Sequence, residues 1–457
     1  MTDSTRHDSI RWRALLVAFC FAVAATVAAC GGDSGGGGGG GGSTKKVDMA
    51  AELKKPANIT VWAWTPGTDV AVKMFEKAHP NIKVKLQNVG QGPPHYRKVR
   101  TVLKSGKGLP DVIQMEFQYI PSFTITKSLL DMTPYLPKDF LSKYPEWIQK
   151  QINLQNAIYG VPWDSGPLGL IYRQDLLDKA GVKTPIKTWD DFAAAAIKYH
   201  KANPKSYLVN LPGGQTGQWL GMYWQNGARP FSSDPKNVKL DLTDPKIKQV
   251  TEYWDKLYNA GAISHDTDFN SAWYEGFTKG KYAGWISAAW GPIFLQDYTK
   301  NSKGKWRAQE LPQWNSGDTV SGNWGGSTLA VLQASKNKAA ATEFARWILQ
   351  EQAPVEMFSY ERFLFPTLNS MLNNPKWANQ KYPFYGGQQV NKVYAQMSNA
   401  VDKGWEWDPI HEYVNTEGDA IKGKSVDQGK GATAALQPWQ DAAVKYAKQQ
   451  GLTVAGQ

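Results

Sequence analysis

Cysteine is almost missing from this chain: two among 457 residues, at positions 20 and 30, and none after them. A body without cysteine can form no disulfide, no cysteine–metal site and no thiol nucleophile, so its stability has to come from packing. Histidine is sparse as well. The six, at positions 7, 79, 95, 200, 265 and 411, do not cluster at metal-ligand spacing. There is no G-x-S-x-G elbow, which leaves Ser165 beside Asp164 without the frame of a serine hydrolase. There is no glycine-rich phosphate cradle either; the unbroken glycine run at 35–42 is low complexity. Basic residues form no stripe. The formal net charge is +12, yet Lys and Arg are scattered singly or in pairs, which argues against nucleic acid as a partner. Long apolar runs are lacking too. The one from Ala14 to Ala29 is short of the roughly 20 residues a membrane span needs.

What the chain does have is length and rings. At 457 residues it is too long for a single core, so two or more lobes are expected. Trp and Tyr number 20 each, more than a core requires, so some of them should line a binding surface.

The first residues read as an export signal. Arg11 and Arg13 precede the uncharged run 14–29, which ends in small residues. Val27-Ala28-Ala29-Cys30 resembles the lipobox of bacterial lipoproteins. That resemblance implies that residues 1–29 are a signal peptide and are removed, Cys20 with them. It also implies that the Cys30 thiol becomes a thioether to diacylglycerol. The alternative is an ordinary signal peptide with an incidental cysteine. Residues 30–56, rich in glycine, then act as a flexible tether spanning on the order of 25–30 Å.

Along the body, hydrophobic periodicity switches between two and 3.6. Asn58–Trp64 alternates as a strand, with Thr68 or Asp69 as the cap of a helix bearing Val70, Met74, Phe75 and Ala78. Ile82, Val84 and Leu86 mark a second strand, 96–104 a helix and 111–115 a buried strand. This β-α-β-α-β order predicts a largely parallel sheet. Further strands are expected at 158–164, 168–172, 284–290 and 325–331. Thr188-Trp-Asp-Asp191 is a capping box ahead of a helix. Thr243-Asp-Pro245 opens another helix, closed by Gly261. Ser335 caps a third, which Pro354 ends, and the tail 432–450 is helical with a break at Pro438.

Taken in order, "ITVWAWTPG", "FEKAHPNIKVKLQ", "GLPDVIQM", "LLDMTPYLP", "IYGVPWDSGPLGLIYRQDLLDKAGV", "KTWDDFAAAA", "GKYAGWISAAWGP" and "GGSTLAVLQASKNKAAATEFARWIL" resemble the extracellular solute-binding proteins of bacterial ABC importers, of the maltose-binding, sugar type. The match covers roughly residues 57–370, and the last 85 residues match least. The resemblance implies an α/β fold of the two-lobed periplasmic-binding-protein type (type II), with discontinuous lobes, a hinge and an interlobe cleft. Residues 57–165 plus 325–370 would form the N-terminal lobe, and 166–324 plus 371–457 the C-terminal lobe. It further implies a lipid-anchored monomer on the outer face of the cytoplasmic membrane. There it would capture a carbohydrate, an oligosaccharide rather than a single sugar, and deliver it to permease subunits. No cofactor, metal or catalytic residue is implied.

Ligands of such sheets lie beyond the carboxyl ends of strands. The residues there are Trp64, Thr65, Glu116, Phe117, Tyr119, Trp163, Asp164, Trp224, Trp290, Trp324, Gly325 and Trp407, with Gln218, Trp219, Trp273 and Phe365 nearby. Rings suit the C–H faces of a pyranose and carboxylates suit its hydroxyl rim. By resemblance, Trp290 matches a sugar-stacking ring of the family and Asp164 its crossing-strand polar residue. For each of these, the competing reading is packing, a loop cap or plain surface. Three rival functions share these residues: a polyamine binder, a binder of glycerol phosphoesters, and a sugar-cleaving enzyme using Glu116 and Asp164. None of the candidate site residues is basic, which disfavours the phosphoester.

Overall fold

The computed structural model describes residues 46–362 and 364–456. Ten strands are present among them. Seven lie along one sheet in the order β2 (Ile82–Gln87), β1 (Ala57–Trp62), β3 (Val112–Glu116), β10 (Asn323–Val331), β6 (Val161–Arg173), β8 (Tyr282–Ala288), β7 (Tyr207–Val209), and β9 (Trp306–Glu310) pairs with β6 off that path. The remaining pair is a two-residue hairpin of β4 (Asn153–Leu154) and β5 (Ala157–Ile158). Cys30, the lipobox and the glycine run lie outside the described residues.

The sheet is mixed, not largely parallel. β1, β2 and β3 run parallel, as the β-α-β order requires. β10 is antiparallel to both β3 and β6, and β6 is antiparallel to β8 and β9. The reason is that β10 arrives from a distant part of the chain rather than through a helical crossover.

β6 is the spine. Two separate strands are expected across 158–172, but the backbone is continuous from Val161 to Arg173. Its first part pairs with β10 up to Pro167, with a register shift after Ser165, and its second part pairs with β8 from Leu168 and with β9 from Gly169. Pro167 stands at the changeover, where a missing N–H costs the ladder least. β6 thus leaves one group of strands and enters the other within a few residues.

Local boundaries differ from the sequence reading for identifiable reasons. β1 stops at Trp62, because the Trp64 and Thr65 N–H groups donate to the Gln114 side chain instead of to a neighbouring strand. Gly67, at φ 90°, occupies the cap position ahead of helix Thr68–Ala78, so neither Thr68 nor Asp69 serves as the cap. β8 ends at Ala288, which puts Trp290 at the cap of helix Gly291–Tyr298 rather than on a strand. The helix after β10 is Lys338–Gln350, capped at Asn337 instead of Ser335, and Pro354 falls within the next short helix. Pro438 breaks nothing: it sits in the first turn of helix Leu436–Gln449, where no intrahelical N–H is needed. The capping box at Thr188 and Asp191 is formed as expected.

Much of the tryptophan serves packing. Trp224 is fully buried, stacked on Trp405 at 5.1 Å and edge-on to Trp147 at 5.8 Å and Trp407 at 6.1 Å. Its indole N–H donates to the Asp402 carbonyl at 2.6 Å. Trp147, on the helix Glu146–Ile152, donates to the Ser398 carbonyl at 2.9 Å. This cluster joins elements far apart in sequence. Replacing Trp224 with Ala is expected to cost roughly 3–5 kcal/mol of stability in urea unfolding. A loss below about 1 kcal/mol would show that Trp224 is not a core ring.

Candidate functional site

Three neighbouring strands bring polar side chains to one row. In register, Ser327 of β10 stands opposite Glu116 of β3 on one side and Asp164 of β6 on the other. The Ser327 backbone N–H donates to Asp164 Oδ1 at 2.9 Å, and its hydroxyl donates to the same oxygen. Gln114 anchors the row to the loop after β1. Its Nε2 donates to Thr65 Oγ1 at 2.8 Å and Ser327 Oγ at 3.1 Å, while its Oε1 accepts from the Trp64 and Thr65 N–H groups at 3.0 and 3.2 Å. Sequence reasoning did not single out Gln114. The available signal was an amide inside the apolar run of "DVIQM", because a buried amide has to find partners.

Glu116 accepts a hydrogen bond from the Tyr96 hydroxyl, and its own N–H donates to that hydroxyl at 2.9 Å. Tyr96 stacks on Tyr119 at 3.7 Å. Trp64, half-buried, meets His95 edge-on at 4.9 Å. Burial raises the Glu116 carboxyl to about 7, with the Asp164 charge adding to it and the Tyr96 bond opposing it. Burial also raises Asp164, against the two bonds from Ser327.

The row continues through charge interactions, chain neighbours and ring pairs as one circuit. The Tyr119 hydroxyl feels the charges of Glu116, Glu412 and Asp419. Asp419 acts on Asp268, whose carboxyl burial lifts to about 6 and which accepts from Gln215 Nε2 at 3.0 and 3.2 Å. The next residue, Phe269, is exposed and lies 6.1 Å from Trp290 and 6.0 Å from Trp324. Trp290 and Trp324 meet edge-to-face at 4.8 Å, and the Trp290 indole N–H donates to the Trp324 carbonyl at 3.0 Å. Gly325 and Gly326 then lead back to Ser327. Both hold positive φ, and a Cβ on Gly326 would come within 2.7 Å of Phe117 and 2.9 Å of the Asp164 carbonyl. Rings and carboxyls therefore border one region, with residues drawn from β3, β6, β10, the segments around Trp64, Phe269 and Trp290, and helices Pro93–Ser105 and His411–Asp427.

Of the expected site residues, Trp64, Thr65, Glu116, Tyr119, Asp164, Trp290, Trp324 and Gly325 belong to this circuit. Phe117 is buried beneath it, 6.4 Å from Trp147. Trp163 is buried too and packs on Phe358 at 5.3 Å, because on a strand it points away from Asp164. Trp224 and Trp407 lie in the buried tryptophan cluster. Gln218, Trp219 and Trp273 are buried, and Phe365 lines a separate pocket with Trp377 and Tyr385. Asp268, Phe269 and Asp419 were not anticipated. They come from a polar loop and from the tail, and neither carries a periodic signal. One basic group lies close by: the Arg362 side chain covers Gly67, with Nε 3.0 Å from where a Cβ would stand.

Two further links tie the flanks together. Arg100, on helix Pro93–Ser105, reaches Glu412 with Nη2 at 2.8 Å and Nε at 3.0 Å, and Glu412 opens helix His411–Asp427. Lys422, fully buried, lies over Trp439 at 4.6 Å and donates to Thr216 Oγ1 at 3.2 Å. Burial lowers this ammonium to about 7, against the pull of Asp419. Among the described residues no group of His, Cys, Asp and Glu is placed to hold a metal ion, and no helix is long and apolar enough to cross a membrane.

Known proteins resemble this chain in sequence and fold. The family model described as "Bacterial extracellular solute-binding protein" matches residues 56–353. The chain belongs to that family. Among relatives of this solute-binding protein, a lactose-binding protein of Rhizobium radiobacter is 27% identical over 396 residues, covering 81% of this chain and 90% of the relative. An arabinooligosaccharide-binding protein of Bacillus subtilis is 28% identical over 281 residues, covering 60% and 64%. Among solved structures, an ABC-transporter-associated binding protein from B. animalis subsp. lactis in complex with β-1,6-galactobiose superposes with TM-score 0.76 at 29% identity, covering 88% of this chain and all of that one. The two-lobed architecture of such binding proteins is the fold of this chain, and the family is extracellular.

The raised Glu116 carboxyl sets a pH test. Between its ordinary 4.5 and about 7 the native state holds a proton that the unfolded state releases. The stability contributed at Glu116 therefore falls as pH rises through that window. Glu116→Gln is expected to lose this part of the pH dependence in urea titrations at about pH 5 and about pH 7.5. Equal pH slopes for the two proteins would refute it.

Proposed function

We propose that this solute-binding protein captures a neutral carbohydrate, an oligosaccharide, in the circuit of rings and carboxyls, and hands it unaltered to the permease of an ABC importer. The observation that carries the proposal is the meeting of rings and carboxyls in one region. Trp290 and Phe269, braced by the buried Trp324, offer ring faces to apolar C–H surfaces, and Glu116, Asp164 and Asp268 offer oxygens to hydroxyls. The relatives named for lactose and arabinooligosaccharides support the same class of solute.

The protonation of the site separates this reading from a polyamine binder. Glu116 and Asp268 hold protons closer to neutrality than ordinary carboxyls do, which lowers the negative charge a cation needs and supplies O–H donors to a hydroxyl-rich ligand. A glycerol phosphoester would call for a basic clamp; Arg362 covers Gly67, but Arg100 is engaged by Glu412 and Lys422 is buried over Trp439. Cleavage is disfavoured by geometry. Glu116 and Asp164 flank Ser327 on one wall of the same sheet, rather than facing each other across a bond.

In this reading residues 57–165 with 325–370 form one lobe, and 166–324 with 371–457 the other. The change of partners along β6 supports the first crossing. Ligand favours closure because it touches both lobes only when they are together. Cys30 carries the lipid of a monomer held at the outer membrane face, and the tether is shorter than 30–56, because the Val47 N–H donates to the Pro134 carbonyl at 3.0 Å and Met49–Glu52 is a helix of the body.

A thermal-shift screen of di- and trisaccharides, with spermidine and glycerol 3-phosphate alongside, is expected to raise the melting temperature with sugars alone. Trp290→Ala should lower affinity for the best sugar on the order of tenfold in calorimetry. Shifts with spermidine and none with sugars would sink the substrate class. For the anchor, Cys30→Ser is expected to move the protein from the membrane pellet to the medium. Retention in the pellet would count against lipidation.

A further inference from the structure

Among the described residues, four large apolar or aromatic side chains are exposed: Ile197, Phe269, Phe294 and Tyr298. Three of them sit together beside the Trp290–Trp324 pair. Helix Gly291–Tyr298 starts just after Trp290, so Trp290, Phe294 and Tyr298 recur every four positions and share a face. Trp290 meets Phe294 at 5.8 Å. Tyr298, 58% exposed, lies flat on Tyr274 at 4.0 Å and 18°. Tyr274 meets Trp273 at 4.8 Å, and Trp273 meets Phe269 at 5.2 Å. The Asp268 charge also reaches the Tyr274 hydroxyl. Both edges of this aromatic strip therefore begin at the candidate site, one at Trp290 and the other at Phe269, which lie 6.1 Å apart.

Packing does not require the outer face of this helix. Leu295 is buried, and Pro292, Ile293 and Gln296 turn to the pocket shared with Trp377 and Tyr385. Phe294 and Tyr298 are left in water, with the carboxylate of Asp297, itself exposed, between them. Exposed rings in a row, continuous with a stacking platform, mark an interaction surface rather than a fold requirement. Successive rings at i and i+4 advance about 6 Å along the helix, comparable with one sugar unit in a chain.

We propose that the strip formed by Phe294 and Tyr298, with the buried Tyr274 backing Tyr298, is an outer subsite. The units of an oligosaccharide beyond those held at Trp290 and Trp324 lie along it, and the protein thereby prefers chains of three or more units. The proposal rests on the carbohydrate reading of the cleft. Its continuity with Trp290 favours the ligand itself as the occupant over a permease loop or a second copy of the chain.

Calorimetry on the whole chain tests it with β-1,6-linked galactobiose and galactotetraose, and with arabinobiose and arabinotetraose. In the wild type the tetrasaccharide of at least one series should bind on the order of tenfold tighter than its disaccharide. The double variant Phe294→Ala, Tyr298→Ala should lose that gain while binding the disaccharide as before. Its melting temperature should stay with the wild type, because both rings are exposed. Equal affinity for short and long sugars in the wild type, or a length preference that survives in the double variant, overturns the subsite and leaves the carbohydrate reading standing. A double variant that keeps the length preference but loses self-association in sedimentation assigns the strip to a second copy and equally overturns it. If no sugar of either series binds the wild type, the subsite and the carbohydrate reading fall together.

Discussion

The site depends on one strand lying between two others. β10 is hydrogen-bonded to β3 on one side and β6 on the other, and Ser327 stands in register with an acid on each. A serine there can donate both its N–H and its hydroxyl to Asp164, which lets a carboxyl persist away from water. Gln114 fastens the same row to the Trp64 loop. The glycines ahead of Ser327 follow from this placement, because Phe117 and the Asp164 carbonyl leave no room for a Cβ at 326. β6 and β10 both pass at this point from one group of strands toward the other, so any change in the relative position of the two groups is felt by the residues that line the site.

The many rings divide into two populations with different physics. Trp147, Trp224 and Trp405 surrender their whole surface to packing, and the N–H groups of the first two are answered by carbonyls. Trp290 and Phe269 keep part of a face open while their edges are held by Trp285, Trp324 and Trp273. A ring braced at its edges and open on its face is preordered, so stacking a ligand on it costs little conformational freedom. The buried cluster and the open platform share no chemistry that a sequence could separate, because both are written with the same residue types.

Much of the fold was legible. Alternation located β2 and β3 closely, and the capping box at Thr188 marked a helix start that the structure keeps. Errors gathered where tertiary hydrogen bonds override local pattern: at Trp64, drawn off β1 by Gln114, and at β6, whose two expected pieces are joined across Pro167. The direction of β10 was not legible, since nothing local tells a strand which neighbours it will meet. In the candidate site, Glu116 was picked out by its place at a strand end and Trp290 and Asp164 by resemblance as well, although Asp164 lies inside β6 rather than at its end. Asp268, Phe269 and Asp419 could not be picked out, because they come from a loop and from the least patterned part of the chain.

By itself the sequence determined that the body is an α/β protein free of cysteine and rich in rings, and that residues 1–30 resemble a lipoprotein leader. Only tertiary structure decided which rings face solvent and which acids stand side by side. Local periodicity records which side of a strand or helix is apolar, but a binding site is made from side chains whose chain positions lie hundreds of residues apart. Their meeting is set by the order of strands in the sheet, which composition and spacing do not encode.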